Sequence, residues 1–270
     1  MKLLALGHAS ATQHFAEFSV GVQSLPALAD HGFQDMVVLP GTFFVEMAFS
    51  LHRELFNEAP SKFEEIQFLS PVILTGEDAI LAVDIAELGS SVEYRFAERE
   101  ERKSNKSAAS QHSATLRIAR ANSQTIADID SSIPASFQTR AERLISSSEF
   151  YNSLSRNRNQ YGPAFQRVTS IWRSGEQVLA KIADTGLSVN VDASSRPILL
   201  DAATQLLVAS VLDQGRTFVL RSIASVEFSG IPAPPEFGAK SSKSRPRRRA
   251  FPEMFCSLTT RGEFGPAFAV

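Results

Sequence analysis

The chain has 270 residues, enough for one large or two medium domains, and its 27 basic and 29 acidic side chains leave a formal net charge of −2. This balance gives no electrostatic reason to expect a nucleic acid or a membrane surface as the main partner. The single cysteine, Cys256, excludes an internal disulfide and a cysteine zinc site, and no segment approaches the ~20 apolar residues of a membrane helix. We therefore expect a soluble, cytoplasmic protein.

The first predicted elements are a strand, a histidine and a buried helix. Apolar and polar residues alternate from His14 to Gln23, which predicts a half-buried strand. His31 follows, then a short apolar strand from Met36 to Leu39 and a helix that is apolar on nearly every side. Such a helix is normally buried by protein. Pro40 and Gly41 suit its first turn, where free N–H groups and the positive dipole end favour a carbonyl or an oxyanion.

The chain then becomes rich in predicted β-structure. Short alternating runs from Phe63 to Glu98 predict several strands, and His112 to Arg120 predicts another. The charged and serine-rich segment from Glu98 to Ser110 predicts a solvated hairpin tip between them. Ala121 to Gln138 is polar and contains Pro134, as connectors often do. These patterns predict an N-terminal half at residues 1–120 and a connector at residues 121–138.

The same order of elements recurs in a predicted C-terminal half, residues 139–232. Its elements are a helix from Thr139 to Ser155, a turn at Tyr161-Gly162-Pro163, strands at Val168–Trp172 and Gln177–Ile182, an apolar helix from Ile198 to Leu212, and two strands within Thr217–Phe228. A long apolar helix with antiparallel strands thus occurs twice. The repetition predicts two similar α+β units packed side by side.

The last forty residues break this pattern. Ile231 to Pro235 is proline-rich, and Lys240 to Arg249 contains six basic residues without interleaved aromatic residues. A single basic block of this kind is more typical of a disordered tail than of an RNA-binding element. We therefore expect residues 233–270 to form a disordered tail.

Asp201 is the second titratable residue in an unusual place. It lies among apolar residues at the start of the second helix, where a carboxylate is costly unless it has partners. Gln205 lies one helical turn further on and can form a hydrogen bond with it. Burial favours the protonated acid, which is the form a proton donor needs. His31 and Asp201 are thus a candidate acid–base pair, although each alone also fits a purely structural role.

Three motifs in the order expected for one family then make the sequence recognisable. His31 to Pro40 matches a His-x3-Gly-x4-Pro pattern except at Asp35, Tyr161-Gly162-Pro163 matches a Tyr-Gly-Pro pattern, and Asp201 to Gln205 matches Asp-x3-Gln. Together they resemble the dehydratase domains of modular polyketide synthases, over roughly Phe15 to Gly230. The resemblance implies an α+β double hotdog fold, in which two antiparallel sheets are each wrapped around a long central helix.

The resemblance also implies a reaction. A β-hydroxyacyl thioester arrives on the phosphopantetheine arm of an acyl carrier protein; neutral His31 takes the α-proton, and protonated Asp201 gives a proton to the leaving hydroxyl. No metal or dissociable cofactor is implied. The partners implied are the acyl carrier protein, the other domains of a polyketide synthase and a second copy in a homodimer. The substrate-binding residues implied are Pro40, Gly41 as the carbonyl-binding N–H, Tyr161 near the leaving hydroxyl, and Gln205 orienting Asp201.

Two departures from the family pattern leave alternatives open. Asp35 occupies the glycine position of the first motif, where a positive φ costs strain, and a carboxylate this close in sequence is expected to favour the charged imidazole of His31. Residues 233–270 also lack the family's last strands, so we expect an incomplete C-terminal end. One alternative is a degenerate hotdog domain that only binds the acyl chain or the carrier protein. Another is a dehydratase-like isomerase or cyclase that uses the same pair.

Overall fold

The structure is a computed structural model that describes residues 1–99, 111–120, 133–175, 177–183, 195–209, 212, 217–227 and 236–242. The described residues form fourteen strands and four α-helices. The strands are β1 (Lys2–His8), β2 (Gln13–Val20), β3 (His31–Phe33), β4 (Met36–Val37), β5 (Lys62–Phe68), β6 (Ala79–Leu88), β7 (Ser91–Glu98), β8 (His112–Ala119), β9 (Arg143–Ser146), β10 (Asn159–Tyr161), β11 (Val168–Ser174), β12 (Gln177–Ala183), β13 (Ser222–Glu227) and β14 (Glu236–Ser242). The helices are α1 (Gly41–Phe56), α2 (Ile133–Arg140), α3 (Ser147–Arg156) and α4 (Ser195–Gln205). None of the described helices is long and apolar enough to cross a membrane.

The strands form two large antiparallel sheets and a small one. The seven-stranded sheet has the order β1-β2-β6-β7-β8-β5-β13, and the four-stranded sheet has the order β14-β12-β11-β9. The small sheet, β10-β3-β4, joins a strand of the second half to two strands of the first. Because β3 starts at His31 and β10 ends at Tyr161, this small sheet brings together two sequence motifs that are far apart in the chain.

Helix α1 fills the apolar face of the larger sheet. Phe43, Phe44 and Met47 are almost completely buried and belong to one core with Phe63 and Phe96 of that sheet. The helix begins at Gly41 after Pro40, and Asn57 ends it in a left-handed conformation with φ +51°, its N–H bonded to the Arg53 carbonyl at 2.9 Å. The predicted buried helix is therefore confirmed.

Helix α4 lies between the two cores. Ile198 and Leu200 pack in the core of the larger sheet, whereas Leu199 and Ala202 pack in the core of the smaller one. This division explains why the helix is apolar on more than one side. It also carries Asp201 to the boundary between the two halves.

Several sequence predictions of individual elements were wrong. The predicted helix from Thr139 to Ser155 contains a strand, β9, because the helix α3 starts only after Ser146, whose Oγ caps it by accepting from the Glu149 N–H at 3.2 Å. Strand β1 was not predicted. Helix α4 starts at Ser195 and ends at Gln205, where a short 3-10 turn follows, instead of running from Ile198 to Leu212.

Strand β13 differs from the sequence prediction in its partner, because it belongs to the sheet of the first half. Two strands were predicted within residues 217–228, but the structure has one, and it pairs with β5 of the first half. Ile223 lies opposite Ile66, and both are fully buried. The larger sheet therefore includes a strand from the predicted C-terminal half.

The prediction of a strandless tail from residue 233 was wrong for Glu236–Ser242. These residues form β14, which pairs along its whole length with β12. The strand extends the second sheet, so the chain supplies at least one of the strands that were thought to be missing. Residues 243–270, including most of the basic run, lie outside the described residues.

A buried ion pair links the two central helices. Glu46 of α1 is 4% exposed, and its two carboxylate oxygens accept from Arg196 Nη1 at 3.2 and 3.1 Å. The Arg196 guanidinium also lies over the Phe49 ring, 4.2 Å from its centroid. Burial raises the pKa of Glu46 to about 7, although Arg196 opposes the shift. The pair therefore ties α4 to α1 at the cost of burying a carboxylate.

Replacing Glu46 by glutamine is expected to remove a pH dependence of stability. Because its folded pKa lies above the ordinary 4.5, the stability that Glu46 contributes is complete below pH 4.5 and is lost as pH rises through about 7. The loss is about 3 kcal/mol. Denaturant unfolding across this range should therefore give a free-energy difference, variant minus parent, that grows with pH.

The test of Glu46 is the difference in the free energy of unfolding between the Glu46→Gln variant and the parent. Burial, aided by Arg120, lowers the pKa of His52 to about 4, and its contribution to stability is therefore lost as pH falls from 6.5 towards 4. This opposite trend partly cancels that of Glu46 in the parent curve, but it is common to both proteins. A difference that stays constant from pH 4.5 to 7 would contradict the assignment to Glu46.

Candidate active site

A cavity of about 200 Å³ lies between the halves and is lined by most of the predicted site residues. His31 and Gly41 come from the first half, and Tyr161, Asp201 and Gln205 come from the second. Pro40 does not line it. Much of the remaining wall is apolar, with Phe44, Phe68, Leu154 and Val208 among its residues. Within the described ranges, no three His, Cys, Asp or Glu side chains are grouped so as to hold a metal ion.

His31 is held in one orientation by the backbone of its own segment. Its Nδ1 lies 2.8 Å from the Val38 carbonyl oxygen, and the His31 carbonyl accepts from the Val38 N–H at 3.1 Å. Because a carbonyl can only accept, Nδ1 carries the proton of that bond. In the neutral ring this leaves a lone pair on Nε2, which points towards the second half of the molecule. In this tautomer, Nε2 of His31 is therefore the ring atom that can accept a proton.

Asp201 faces His31 from helix α4. The residue is 6% exposed, and its Oδ1 lies 3.8 Å from His31 Nε2, which is longer than a direct hydrogen bond. Its Oδ2 accepts from Gln205 Nε2 at 2.8 Å, as the four-residue spacing predicted. Burial raises the pKa of Asp201, although His31 and Gln205 oppose the shift. The environment thus favours the protonated acid.

Gln205 is itself oriented by Tyr151, which the sequence analysis missed. The Tyr151 hydroxyl lies 3.0 Å from Gln205 Oε1, and it accepts from the Val168 N–H at 2.9 Å. Gln205 Nε2 also lies 3.3 Å from the Phe165 carbonyl oxygen. Tyr151 is 5% exposed, and its burial raises the pKa of the phenol. A network of buried hydrogen bonds therefore fixes the side chain that holds Asp201.

Replacing Tyr151 by phenylalanine is expected to impair both stability and the site. The Val168 N–H and Gln205 Oε1 lose a buried partner, which costs about 1–3 kcal/mol in the free energy of unfolding. Gln205 can then rotate and release Asp201, which should lower turnover by about 10-fold to 100-fold. Turnover of the β-hydroxyacyl thioester that the family resemblance implies, together with denaturant unfolding, would measure the two effects.

Tyr94 offers a matched control for this substitution. It is fully buried, its hydroxyl lies 2.9 Å from His52 Nδ1, and it does not line the cavity. Tyr94→Phe should therefore cost similar stability and leave turnover unchanged. Equal losses of turnover in the two variants would mean that Tyr151 acts only through stability.

Tyr161 is placed beside His31 by the pairing of β10 with β3. The two residues are direct partners in that ladder, and their rings meet edge to face with centroids 5.4 Å apart. Burial raises the pKa of the Tyr161 phenol, with smaller contributions from Asp201 and Tyr151. Tyr161 therefore presents a protonated hydroxyl group in the wall of the same cavity.

Asp30 holds the turn that follows Tyr161. Its carboxylate accepts from the Ala164 N–H at 2.7 Å, and its carbonyl accepts from the Gly162 N–H at 2.7 Å. A Cβ at position 162 would overlap the Asp30 carboxylate, which explains why glycine suits this place. The residue directly before His31 thus anchors the turn directly after Tyr161.

Pro40 and Gly41 have different roles at the start of α1. Pro40 is buried and has φ −62°, which suits the residue before a helix. Gly41 lines the cavity, and a Cβ there would lie 2.6 Å from the Phe68 ring. Glycine at position 41 therefore leaves the first turn of α1 open to the cavity, whereas Pro40 is buried at the residue before the helix.

Asp35 adopts the conformation that was predicted for the glycine position. Its φ is +65°, and the carboxylate is 68% exposed. The Asp35 N–H donates to Gln160 Oε1 at 2.9 Å, and the carboxylate accepts from Gln160 Nε2 at 2.6 Å and from Arg158 at 3.2 Å. These bonds offset the strain of the left-handed backbone. They also direct the carboxylate towards β10, and its effect on the charge of His31 stays a prediction.

Solved structures with the same fold are dehydratase domains. The dehydratase domain from the CurJ module of curacin polyketide synthase has a TM-score of 0.74 at 20% identity, over 91% of this chain and 86% of that chain. The dehydratase domain of a mycocerosic acid synthase-like polyketide synthase has a TM-score of 0.72 at 18% identity, over 84% and 79% of the two chains. The double hotdog prediction is therefore confirmed.

The CurK dehydratase of the same synthase is also similar, with a TM-score of 0.75 at 18% identity over 90% of this chain and 85% of that chain. Two inactive mutants of it have been solved, one with a histidine changed to phenylalanine and one with an aspartate changed to asparagine. At this identity the likeness establishes the fold alone.

Two family models match the chain. The polyketide synthase dehydratase domain matches residues 3–99, and the polyketide synthase dehydratase N-terminal domain matches residues 129–265. The chain therefore belongs to the polyketide synthase dehydratase family. The second match extends well beyond Gly230, so the predicted limit of the resemblance was too short.

Curated relatives are much larger proteins. The pikromycin polyketide synthase component PikAII of Streptomyces venezuelae is 27% identical over 194 residues, which are 69% of this chain and 5% of that protein. The mycoketide-CoA synthase of Mycobacterium tuberculosis is 26% identical over 184 residues, 68% of this chain and 4% of that protein. The chain thus spans about one-twentieth of the length of these relatives.

Proposed function

We propose that this protein removes water from a β-hydroxyacyl thioester carried by an acyl carrier protein and gives an α,β-enoyl thioester. One observation carries the proposal: in a largely apolar cavity, the free Nε2 of His31 faces the buried carboxyl group of Asp201 at 3.8 Å. Elimination of water needs a base for the α-proton and an acid for the hydroxyl, and these two groups lie within reach of neighbouring substrate carbons.

His31 is the proposed base. Its Nδ1–H bond to the Val38 carbonyl fixes the tautomer, so that Nε2 is the atom that takes the α-proton. The positive charge that develops on the ring is then shared with that carbonyl. In the CurK dehydratase, which has the same fold, a mutant with a histidine changed to phenylalanine is inactive, which is consistent with a required histidine.

Asp201 is the proposed acid. Its raised pKa favours the proton that the leaving hydroxyl needs, and the C–O bond breaks as that proton is delivered and water forms. The charged imidazole and carboxylate that remain are 3.8 Å apart, and return of the proton from His31 to Asp201 restores the resting state. In the CurK dehydratase a mutant with an aspartate changed to asparagine is also inactive, which is consistent with a required aspartate.

The other site residues bind and orient in this proposal. The N–H at Gly41 lies at the first turn of α1, where it has no intrahelical acceptor, and it binds the thioester carbonyl as negative charge develops there. Tyr161 donates to the leaving hydroxyl, and Gln205 keeps Asp201 in place. One hydrogen and one hydroxyl leave as water, so the reaction balances without an oxidant or a reductant.

The partners follow from the form of the substrate. We propose that an acyl carrier protein delivers the thioester and that the chain works beside other domains of a polyketide synthase, which is supported by its similarity to small parts of such synthases. A homodimer stays a prediction, which the mass of the purified protein in solution would test.

The experiment is mass-resolved turnover of a β-hydroxyacyl pantetheine thioester by the purified parent protein, with each configuration of the hydroxyl tested separately. Loss of one water, together with hydration of the enoyl product in reverse, is the expected result. The saturated acyl thioester is the control, because it has no hydroxyl to lose and must stay unchanged.

The other outcomes separate the alternatives. A folded parent that binds the thioester without turnover would indicate a degenerate hotdog domain that only binds. A product whose double bond has moved, or a cyclic ether, would indicate an isomerase or a cyclase. Either outcome would contradict simple dehydration.

A further inference from the structure

Thr42 has a buried hydroxyl group that nothing in the described protein satisfies. The residue is 1% exposed, and its Oγ1 makes no hydrogen bond to any described residue. It is the one such side-chain atom among the described residues. Buried polar groups in native proteins are nearly always paired, so an exception of this kind points to a partner that the protein itself does not supply.

The place of Thr42 indicates where that partner lies. Thr42 is the second residue of α1 and forms part of the cavity wall beside Gly41. Thr42 comes four residues after Val38, and the Val38 carbonyl is the group that accepts the hydrogen bond from His31 Nδ1. The unpartnered hydroxyl thus belongs to the same first turn as the free N–H groups of a sixteen-residue helix. The N–H groups need an acceptor, and a hydroxyl group can donate to the same atom, so one acceptor atom inside the cavity would satisfy both.

We propose that the Thr42 hydroxyl is a second donor to the carbonyl oxygen of the thioester, alongside the N–H at Gly41. The inference rests on the proposed function and deepens it. The carbonyl oxygen is a pure acceptor in the substrate, and it gains negative charge when the α-proton leaves. A donor already fixed at this point stabilises that charge more than the neutral carbonyl, so Thr42 acts on both binding and turnover.

Thr42→Val tests this, because it keeps the β-branched shape and removes only the hydroxyl. The binding probe is hexanoyl-pantetheine, a thioester without a β-hydroxyl, compared by calorimetry with the thioether in which the carbonyl is a methylene. Thr42→Val should weaken thioester binding about 5-fold to 10-fold and leave thioether binding unchanged. Turnover of the β-hydroxyacyl thioester should fall by about 10-fold to 100-fold.

Two controls separate a ligand contact from a structural role. Thr42→Ser keeps the hydroxyl and should retain thioester binding and turnover close to those of the parent. Thr42→Val should unfold at the same or a higher denaturant concentration than the parent, because it removes a buried group without a partner. Thr42→Ala, which lacks the hydroxyl and cannot overpack, should repeat the loss of thioester binding.

The outcomes distinguish this inference from the proposed function. If the parent binds the thioester and Thr42→Val weakens it selectively, the inference holds even where the parent fails to turn over and dehydration is disproved. If the parent dehydrates its substrate but Thr42→Val binds and turns over like the parent, the inference alone is overturned. Equal weakening of thioester and thioether, or a parent that binds neither, would also overturn it.

Discussion

Asp201→Asn is expected to lower the dehydration rate by about 100-fold to 10,000-fold, the usual contribution of acid–base catalysis. Asparagine has nearly the shape of aspartic acid, and its side-chain oxygen can still accept from Gln205 Nε2, so the bond seen at 2.8 Å can persist. What disappears is the proton for the leaving hydroxyl. Single-turnover measurements with mass detection report this step directly.

The pH dependence gives the same prediction a second test. Asp201 must be protonated to act, and burial raises its pKa, so the rate of the parent should fall on the alkaline side as this proton is lost. The residual rate of Asp201→Asn should lack that fall. The stability of the parent should fall in the same direction: the contribution of Asp201 is lost as pH rises through its raised pKa, so the variant gains stability relative to the parent with rising pH.

Asp84→Asn is a suitable control, because it makes the same chemical change at an exposed position on β6. It should leave the rate and its pH profile unchanged. A folded Asp201→Asn protein with more than a tenth of the parental rate would contradict the role of Asp201 as the acid.

His31→Asn is expected to cause a loss of similar size, about 100-fold to 10,000-fold. The asparagine amide can occupy the place of Nδ1 and keep the hydrogen bond to the Val38 carbonyl, which is 2.8 Å long in the parent. No atom then replaces Nε2, so the α-proton has no base. Denaturant unfolding should therefore show a folded protein, calorimetry should show that it binds the thioester, and mass-detected turnover should be scarcely measurable.

His14→Asn provides the matched control for a buried histidine. His14 is 7% exposed, pairs with Glu87 at 2.9 Å and lies outside the cavity wall. Its replacement should reduce stability and leave the rate unchanged. If His14→Asn and His31→Asn lose the same activity, the effect of His31→Asn is one of folding and the base is another group.

Local patterns in the sequence were sufficient for the features that depend on one segment. The burial of α1 follows from its apolar residues on nearly every side, and the bond between Asp201 and Gln205 follows from a spacing of one helical turn. The protonated state favoured for Asp201 follows from a carboxyl group in an apolar helix. Each of these inferences needs only neighbours within a turn or two of the chain.

Features that depend on distant partners could not be derived in the same way. The alternation of β13 shows that it is half-buried, but nothing in it specifies β5 of the other half as its partner. In β14, the sequence shows no sustained apolar alternation, so the strand became visible only through its pairing with β12. The family motifs related Tyr161 to the site, but its pairing with His31 became visible only in the fold.

Tyr151 and Thr42 show a further limit of sequence analysis. Tyr151 resembles any aromatic residue on the buried face of an amphipathic helix, and only its contact with Gln205 assigns it to the site. Thr42 is notable for lacking a partner, a property that no sequence pattern displays. The contacts of Tyr151, and the absence of one for the Thr42 hydroxyl among the described residues, depend on how distant segments pack in three dimensions.

The most direct test of the central claim, that one residue from each half forms a single acid–base pair, is a double-mutant cycle on the dehydration rate. It compares His31→Asn, Asp201→Asn and the protein with both changes. If the two residues act as a unit, the double variant should be no more than about threefold slower than the slower single variant. Losses that multiply would show two independent contributions and would contradict the account.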